Sequence, residues 1–463
     1  MLRQALAYIE EHQARFVQEL LEFLSIPSVS AQPEHARDVH MAAFWLAEQL
    51  RHIGLRSEVL RTGGHPLVYA EWRGQDLHAP TVLIYGHYDV QPPEPMEQWH
   101  TPPFAPELRE GYIYARGASD NKGQHFAHVK AVEALLRTQG TLPVNIKFLI
   151  EGEEEIGSPS LGAFIAANAD LLRCDCVLIS DSAMRALDQP TLVYGLRGLI
   201  SMEVTVRCLE RDVHSGHYGG LVQNPIFVLA QMLAQVKDAE GRVRIPGFYE
   251  DVRVLDDEER AALARVPYTE ADLMRETGAR CAFGEPEFSL VERRGARPTF
   301  EVNGIWGGYT GPGTKTVIPA EAHAKITCRL VPYQDPHKVA QRVAEYLRSI
   351  TPPGATLEVR VHEGGSPAVL LERDHPAVRA AVRAATDTYH AEPIFELEGG
   401  SIPVVAHFRD QLRAPVVLLG FGLPDDNIHA PNERFSLQAY QRGIEASARF
   451  LLEMSACCAG RGA

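Results

Sequence analysis

Histidine and carboxylate side chains follow apolar segments of this sequence at several points. His87 and Asp89 lie in YGHYDVQP directly after one such segment, and Asp120 lies in RGASDNKG before a helical pattern. Each has an ordinary structural explanation when taken alone, since a loop histidine is usually a satisfied polar group and an aspartate often caps the N-terminus of a helix. Neither motif is sufficient evidence for a functional site by itself.

A run of acidic residues is harder to explain structurally. The motif EGEEEIGS follows the apolar segment NIKFLI and leads into a Gly–Ser turn. A solvated acidic turn is the usual interpretation of such a run, but carboxylates that leave a buried strand repel one another and need a cation. The glutamates of this run are Glu151, Glu153, Glu154 and Glu155.

Two further residues complete a set that suits a metal site. Asp181 ends VLISD, and His429 lies in NIHAPNE beyond VVLLGFG. With His87, Asp120 and Glu155 they form a mixed imidazole–carboxylate group, which fits zinc or manganese. A bridging carboxylate can hold two ions about 3.5–4 Å apart, and an unliganded glutamate can carry a proton from water to a leaving amine. The sequence therefore predicts a two-metal hydrolase.

These motifs also support a resemblance to a known family. Together with DVHSGHYGG, KTVIPAEAHAKITCRLVP and GGSIP, they occur in the order seen in M20 metallopeptidases, which are dinuclear zinc exopeptidases. The resemblance covers about residues 16–450 and is strongest to the dipeptidase branch that includes carnosine and cytosolic nonspecific dipeptidases. It implies two divalent ions per subunit, Zn²⁺ or Mn²⁺, a dipeptide substrate and a homodimer.

The resemblance also implies a role for each residue of the site. Asp120 would bridge the two ions, with His87 and Asp181 completing one ion and Glu155 and His429 the other. Glu154 would be the general base, and Asp89 would orient His87. The third adjacent acid, Glu153, leaves open a shift of the base and ligand assignments by one position.

Substrate contacts are implied for His214, Thr316, Arg329 and Ser401. Arg329 ends the strand pattern AKITCRL and could grip a substrate carboxylate with two donors, although a surface salt bridge is an equally ordinary role. The resemblance gives His214 the task of stabilising the oxyanion from the partner subunit, and an imidazole N–H suits that task. His217 lies close enough in sequence to share it.

The elements that would position these residues alternate between strands and helices. Apolar stripes at helical spacing cover residues 39–53 and 126–136. This order predicts an α/β domain with a mostly parallel sheet, in which ligands bind beyond the carboxyl ends of the strands. The predicted strands are Thr81–Tyr85, Ile146–Ile150, Cys176–Ile179 and Val416–Leu419.

The middle of the chain follows a different order. Between residues 197 and 362 the pattern is βαββαβ, which is the ferredoxin-like arrangement, and residues 251–297 fit no element. We therefore expect a zinc-exopeptidase-like catalytic domain formed by residues 1–196 and 364–463. An inserted ferredoxin-like α+β domain, residues 197–363, would act as lid and dimerisation surface.

Composition excludes several classes of partner. The 45 basic and 60 acidic residues give a formal charge of −15, which disfavours nucleic acid and anionic membranes. Neither a signal peptide nor a transmembrane segment is evident, and the seven cysteines match no zinc spacing. We expect a cytoplasmic protein with reduced thiols.

Two alternative functions remain open from sequence. An amidase or deacylase of N-acyl amino acids could use the same scaffold, since the side-chain pocket cannot be identified. A metal-binding scaffold protein without activity is the alternative of another class. The pair Glu154–Glu155 argues against it, because a binding protein needs no unliganded base.

Overall fold

The computed structural model describes residues 1–76, 78–362 and 365–459. The chain divides into two compact units. The first unit comprises Met1–Tyr194, Leu371–Glu396 and Val404–Ala463, and the second comprises Gly195–Leu370 and Leu397–Pro403.

The helices and strands are numbered along the chain. As far as the end of the eighth strand they are α1 Leu2–Leu24, α2 Ala36–His52, β1 Arg56–Leu60, β2 Leu67–Trp72, β3 Thr81–His87, β4 Glu107–Arg109, β5 Tyr112–Tyr114, α3 Gly123–Gln139, β6 Asn145–Glu151, α4 Leu161–Ala167, α5 Ala169–Leu172, β7 Cys176–Ile179 and β8 Thr191–Leu196. Then follow β9 Gly198–Arg207, β10 Val213–His214, α6 Ser215–Tyr218, α7 Pro225–Ala234, α8 Asp257–Leu263, α9 Glu270–Thr277, α10 Leu290–Gly295, β11 Thr299–Gly307, β12 Val317–Ile318, β13 Glu321–Leu330, α11 Pro336–Ser349, β14 Thr356–Val361 and β15 Val369–Leu370. The last are α12 Pro376–Tyr389, β16 Ile394–Glu398, α13 Pro403–His407, β17 Val416–Leu419, β18 Arg434–Ser436 and α14 Leu437–Ala459.

The first unit is built around a mixed sheet. Its strand order is β1-β2-β6-β3-β7-β17-β8, and the four central strands β6, β3, β7 and β17 run parallel. The flanking strands are antiparallel, so the predicted mostly parallel sheet is parallel only at its centre. The connection from β1 to β2 is too short for the crossover that a parallel pair needs.

The four central strands are the four apolar segments found in the sequence. Two match the predicted bounds, while β3 and β6 each extend to include a polar residue at the carboxyl end, His87 and Glu151. Every residue of β7 and β17 is buried. Continuous apolar strands are expected where helices cover both faces of a parallel sheet.

Helix α3 packs against β3 with little space between them. A Cβ on Gly86 of β3 would lie 2.5 Å from the Cβ of His125 and 2.8 Å from Asn121 Oδ1. The helix ends at Gln139 and is capped by Gly140, whose φ of +68° is a left-handed conformation that glycine adopts without strain. The glycine at position 86 therefore allows the close approach of helix and strand beneath the site.

The second unit contains a four-stranded antiparallel sheet with the order β11-β13-β9-β14. Along the chain the main elements are β9, α7, β11, β13, α11 and β14, which is a βαββαβ order. Residues from both helices and from the sheet form one apolar core, including Val204, Leu229, Phe300, Ile326 and Val343. The segment that fitted no pattern, residues 251–297, forms α8, α9 and α10.

The boundaries of the second unit differ from the sequence-based division. Its first segment extends to Leu370 instead of 363, and the predicted border at 363/364 falls on two residues outside the described part of the chain. A second segment, Leu397–Pro403, also joins it. This segment belongs there because Arg197 donates from its backbone N–H to Gly400 O and from Nε to Gly399 O.

Two further expectations concern cysteines and membranes. Six cysteines form no disulfide bond, namely Cys174, Cys176, Cys208, Cys281, Cys328 and Cys457, while the side chain of Cys458 lies outside the described part of the chain. Within the described residues, none of the helices combines the length and apolar character needed to cross a membrane.

Gly86→Ala is expected to lower the free energy of unfolding by about 1–3 kcal/mol, because the added methyl group overlaps His125. Urea denaturation followed by circular dichroism measures the loss. Gly63→Ala is the matched control in the same unit, since its Cβ would meet only Ser160 Oγ at 3.7 Å. An equal loss in both variants would contradict the close packing of α3 on β3.

Candidate active site

The first group of predicted ligands lies at the end of β3 and around it. His87, Asp120 and Asp181 each offer one atom, and these atoms all lie within 4.8 Å of one another. His87 Nε2 is 3.2 Å from Asp120 Oδ1 and 3.8 Å from Asp181 Oδ1. His87 is fully buried, and its Nε2 has no hydrogen-bond partner among the described residues. The imidazole therefore points a free nitrogen at two carboxylates.

The second group shares Asp120 with the first. Asp120, Glu155 and His429 again lie within 4.8 Å by their ligand atoms. His429 Nε2 is 2.8 Å from Asp120 Oδ2 and 3.4 Å from Glu155 Oε2. The two oxygens of Asp120 thus face one histidine each, which is the arrangement that a carboxylate between two ions requires.

The three adjacent glutamates Glu153, Glu154 and Glu155 have different surroundings. The carboxylate of Glu153 accepts the backbone N–H groups of His65 at 2.8 Å and Ser160 at 3.1 Å, so it is engaged in holding the loop. The carboxylate of Glu154 makes no hydrogen bond or ion pair with the described residues. This geometry favours the assignment of Glu155 to the ligand group and leaves Glu154 unliganded beside it.

Asp89 connects two loops of the site. Its carboxylate accepts from Ser30 Oγ at 2.7 Å and from the backbone N–H groups of Glu154 and Glu155 at 3.2 and 3.1 Å. His87 Nδ1 hydrogen-bonds to the backbone oxygen of Asp89 at 3.1 Å, while the nearest carboxylate oxygen is 3.4 Å away. Asp89 therefore contacts His87 chiefly through its main chain. The side chain of Asp89 instead holds the backbone of Glu154 and Glu155.

The electrostatics of this cluster fit a bound cation. Burial, with the charge of Asp120, raises the pKa of Glu155 to about 7. Burial also raises the pKa of Glu154 well above its usual range, and the neighbouring acids add to the effect. Hydrogen bonds to Asp120 and Glu155 raise the pKa of His429 to about 10. Buried carboxylates that share a site need positive charge, and divalent ions supply it with the donors present here.

The structure adds residues to the site that sequence reasoning missed. Asn121 donates from Nδ2 to Asp181 Oδ1 at 3.0 Å and to Ser180 O at 2.6 Å. Gln91 donates from Nε2 to Glu155 Oε2 at 2.8 Å. Both lie inside motifs already singled out, RGASDNKG and YGHYDVQP, but an amide gives no signal of its own in a search for ligands. They orient carboxylates of both ligand groups.

All four predicted substrate residues belong to the second unit, although the sequence placed Ser401 in the catalytic domain. His214 accepts the Gly216 N–H on Nδ1 at 2.9 Å, so its proton resides on Nε2, which is 3.4 Å from Thr316 Oγ1. His217 stacks on His214 with ring centroids 4.5 Å apart. His214 and its neighbour Thr316 are exposed, and the imidazole presents an N–H donor.

Arg329 and Ser401 form a second pair. Arg329 donates from Nη1 to Ser401 Oγ at 2.8 Å, and Ser401 donates to the backbone oxygen of Arg197. The guanidinium groups of Arg329 and Arg197 form no salt bridge with a described carboxylate, so a surface ion pair does not explain Arg329. Burial, with the nearby charge of Arg329, lowers the pKa of Arg197 to about 10.

Comparison with known proteins identifies the family. Residues 83–453 match the profile of peptidase family M20/M25/M40. The chain is 32% identical to the Cys-Gly metallodipeptidase dug1 of Schizosaccharomyces pombe, over 96% of this chain and 97% of that protein. It is 31% identical to the human Beta-Ala-His dipeptidase, over 98% of this chain and 93% of that protein.

A solved structure gives the same answer. The M20 family metallo-carboxypeptidase Sso-CP2 from Sulfolobus solfataricus superposes with a TM-score of 0.85 at 35% identity, covering 95% of this chain and 99% of that one. The match includes both units of the chain, since it omits only a twentieth of the residues. This chain therefore belongs to peptidase family M20/M25/M40 and is a peptidase with the α/β fold of that family.

Proposed function

We propose that the protein is a two-metal dipeptidase that binds Zn²⁺ or Mn²⁺ at His87, Asp120, Glu155, Asp181 and His429. The observation that carries this proposal is the pair of ligand groups that share Asp120. Mixed imidazole and carboxylate donors favour these metals over magnesium or calcium, which take oxygen ligands.

Glu154 is the proposed general base. When bound, the two ions would activate a water molecule and polarise the scissile carbonyl. Glu154 takes the proton from the attacking water and gives it to the leaving amine, because its carboxylate is free while its neighbours are engaged.

The substrate class follows from the second unit and from the relatives. Dipeptidases and carboxypeptidases both act beside a free C-terminal carboxylate, and the relatives carry both kinds of name. Arg329 offers a guanidinium without a carboxylate partner among the described residues, and Ser401 fixes its orientation. We therefore assign Arg329 to the substrate carboxylate, and we assign the N–H of His214, with Thr316 beside it, to the oxyanion.

Glu154→Gln is expected to lower kcat by about 10²–10⁴-fold while both metals stay bound, because the amide keeps the shape and cannot carry the proton. Steady-state kinetics and elemental analysis measure the two quantities. Glu155→Gln is the contrasting variant and should lose metal. Loss of metal from Glu154→Gln would instead make Glu154 a ligand.

A panel of substrates distinguishes the proposed dipeptidase from the alternative functions. Metal-loaded wild type is incubated with dipeptides, tripeptides and N-acyl amino acids, and the products are identified by mass spectrometry. Selective loss of dipeptides supports the proposal, and selective loss of N-acyl amino acids would replace it with an amidase. A folded, metal-loaded protein that cleaves none of them would be a binding scaffold.

Arg329→Lys is expected to lower kcat/KM by about 10- to 100-fold for dipeptides with a free carboxylate, the effect of losing one charge-assisted hydrogen bond. Lysine keeps the charge but lacks the planar pair of donors. C-terminally amidated dipeptides serve as the control substrates and should be affected little. An equal loss on both substrate types would remove Arg329 from carboxylate recognition.

We further propose that the second unit mediates a homodimer. Strand β11 is the outer strand of its sheet and exposes Val302, Ile305 and Trp306, and in the same unit Leu221 and Phe227 are 76% and 67% exposed. An unpaired strand edge with exposed apolar side chains is a surface that a second copy can cover. Isologous pairing through this surface fits the commonest symmetry of soluble oligomers.

A mixed dimer tests whether His214 acts on the partner subunit. One tagged chain carries His214→Ala and the other Glu154→Ala, so that action in trans leaves one complete site per dimer. The mixed dimer should then show roughly half of the wild-type activity, although each parent homodimer is nearly inactive, as expected for groups that act as a unit. Activity no higher than that of the parents, in a verified metal-loaded mixed dimer, would place His214 in the site of its own chain.

A further inference from the structure

We propose that Glu433 is a positioning residue of the metal centre, which clamps the loop of Asp120 to the loop of His429. The inference rests on the two-metal site proposed above. Glu433 directly precedes β18, four residues after His429, and its side chain is fully buried. It lies outside both ligand groups.

The carboxylate of Glu433 accepts four hydrogen bonds from one short segment. Its Oε1 accepts the backbone N–H groups of Ser119 at 2.9 Å and Asp120 at 3.0 Å. Its Oε2 accepts the backbone N–H of Gly117 and an Nη1 hydrogen of Arg116, both at 2.8 Å. The backbone of the shared ligand is thus held directly by this one side chain.

The segment that Glu433 holds needs such an acceptor. Asp120 has φ −117° and ψ 94°, which is not a helical conformation, so its N–H is not satisfied by a regular helix. Gly117 has φ +82°, and a Cβ there would lie 2.4 Å from Val90 Cγ1. The path of the loop is therefore set by its neighbours, and unpaired buried N–H groups along it would be costly.

A second acid anchors the other side of the His429 loop. Asp426, three residues before His429, accepts from Ser119 Oγ at 2.7 Å and from the Leu423 N–H at 2.8 Å. The loop of His429 is therefore joined to the loop of Asp120 on both sides of the histidine. His429 itself has a φ of +60°, so the loop holds it in an uncommon backbone conformation.

A carboxylate is required because every partner of Glu433 is a donor. Two donors face each oxygen. In Glu433→Gln the amide nitrogen is itself a donor, so either orientation of the amide opposes two N–H groups and leaves them unpaired. The variant keeps the shape and burial of the side chain but removes the charge beside the buried Arg116 and part of the hydrogen bonding that holds the loop.

The test measures zinc affinity by competition with a chromophoric chelator. We expect Glu433→Gln to raise the dissociation constants of both ions by about 10- to 100-fold, because outer partners of ligands act on this scale and Asp120 is shared. The absorption spectrum of the Co²⁺-loaded variant should also change. Glu133→Gln is the matched control. Glu133 is a buried acid of the same unit that accepts from Tyr8, Arg15 and Lys130, so its loss should lower stability and leave both constants unchanged.

Each result decides between the two proposals. Wild-type protein that binds fewer than two ions would overturn the two-metal site itself. Wild type with two ions and folded Glu433→Gln with unchanged constants would overturn the clamp. If Glu433→Gln fails to fold, Glu433→Asp keeps the negative charge beside Arg116 and draws both oxygens back by one methylene, which weakens the hydrogen bonds to the loop. It should raise the constants about fivefold, the equivalent of one hydrogen bond, and unchanged constants would again overturn the clamp.

Discussion

The mutual repulsion of buried carboxylates is the constraint on which the rest of the site depends. Asp120, Glu154, Glu155 and Asp181 converge where the central parallel strands end. Without positive charge this concentration of acids would oppose folding, since desolvation and like charge both disfavour the ionised forms. Imidazoles, amides and backbone N–H groups of the surrounding chain hydrogen-bond to these acids or lie beside them. The atoms that could bind a metal ion remain available.

The sheet explains why so many separate segments can meet. Each of the four central parallel strands ends at the same edge and is followed by residues of the site. Buried strands are rigid, and residues placed just beyond them inherit that rigidity. His87 is the last residue of β3, so the strand itself holds it in place. His429 lies on a long loop after β17, and this loop needs other contacts to fix its position.

Apolar runs located the central strands, because burial on both faces leaves a continuous pattern, and apolar stripes at helical spacing located the helices α2 and α3. The antiparallel strands on either side of the central four were not predicted, because the direction of pairing depends on which strands are neighbours in the sheet, and the sequence pattern does not give the neighbours. Helices α8 to α10 were also missed. They are short and rich in charge, so they lack a continuous apolar stripe, although Thr269 and Ser289 form capping boxes that mark two of their starts.

The sequence predicted the candidate site as a set of residue types and motifs, and the family resemblance implied the tasks of the adjacent acids but left a shift by one position open. Glu153, Glu154 and Glu155 are chemically identical, and only the N–H groups of His65 and Ser160 distinguish the first from the others. His65 lies far from Glu153 in sequence and Ser160 lies close to it, but both donors are backbone N–H groups and carry no side-chain signal. The contact of His87 with the main chain of Asp89 is hidden for the same reason.

The short segment Leu397–Pro403 has a consequence for building hybrid enzymes from relatives. Exchange of Gly195–Leu370 alone would look like a clean domain transplant, yet it would leave Gly399 and Ser401 behind. Arg197 and Arg329 of the incoming piece would then meet a loop evolved for a different sequence. A chimera that keeps these contacts has to carry both segments together, so the second unit of this protein is exchangeable only as a discontinuous module.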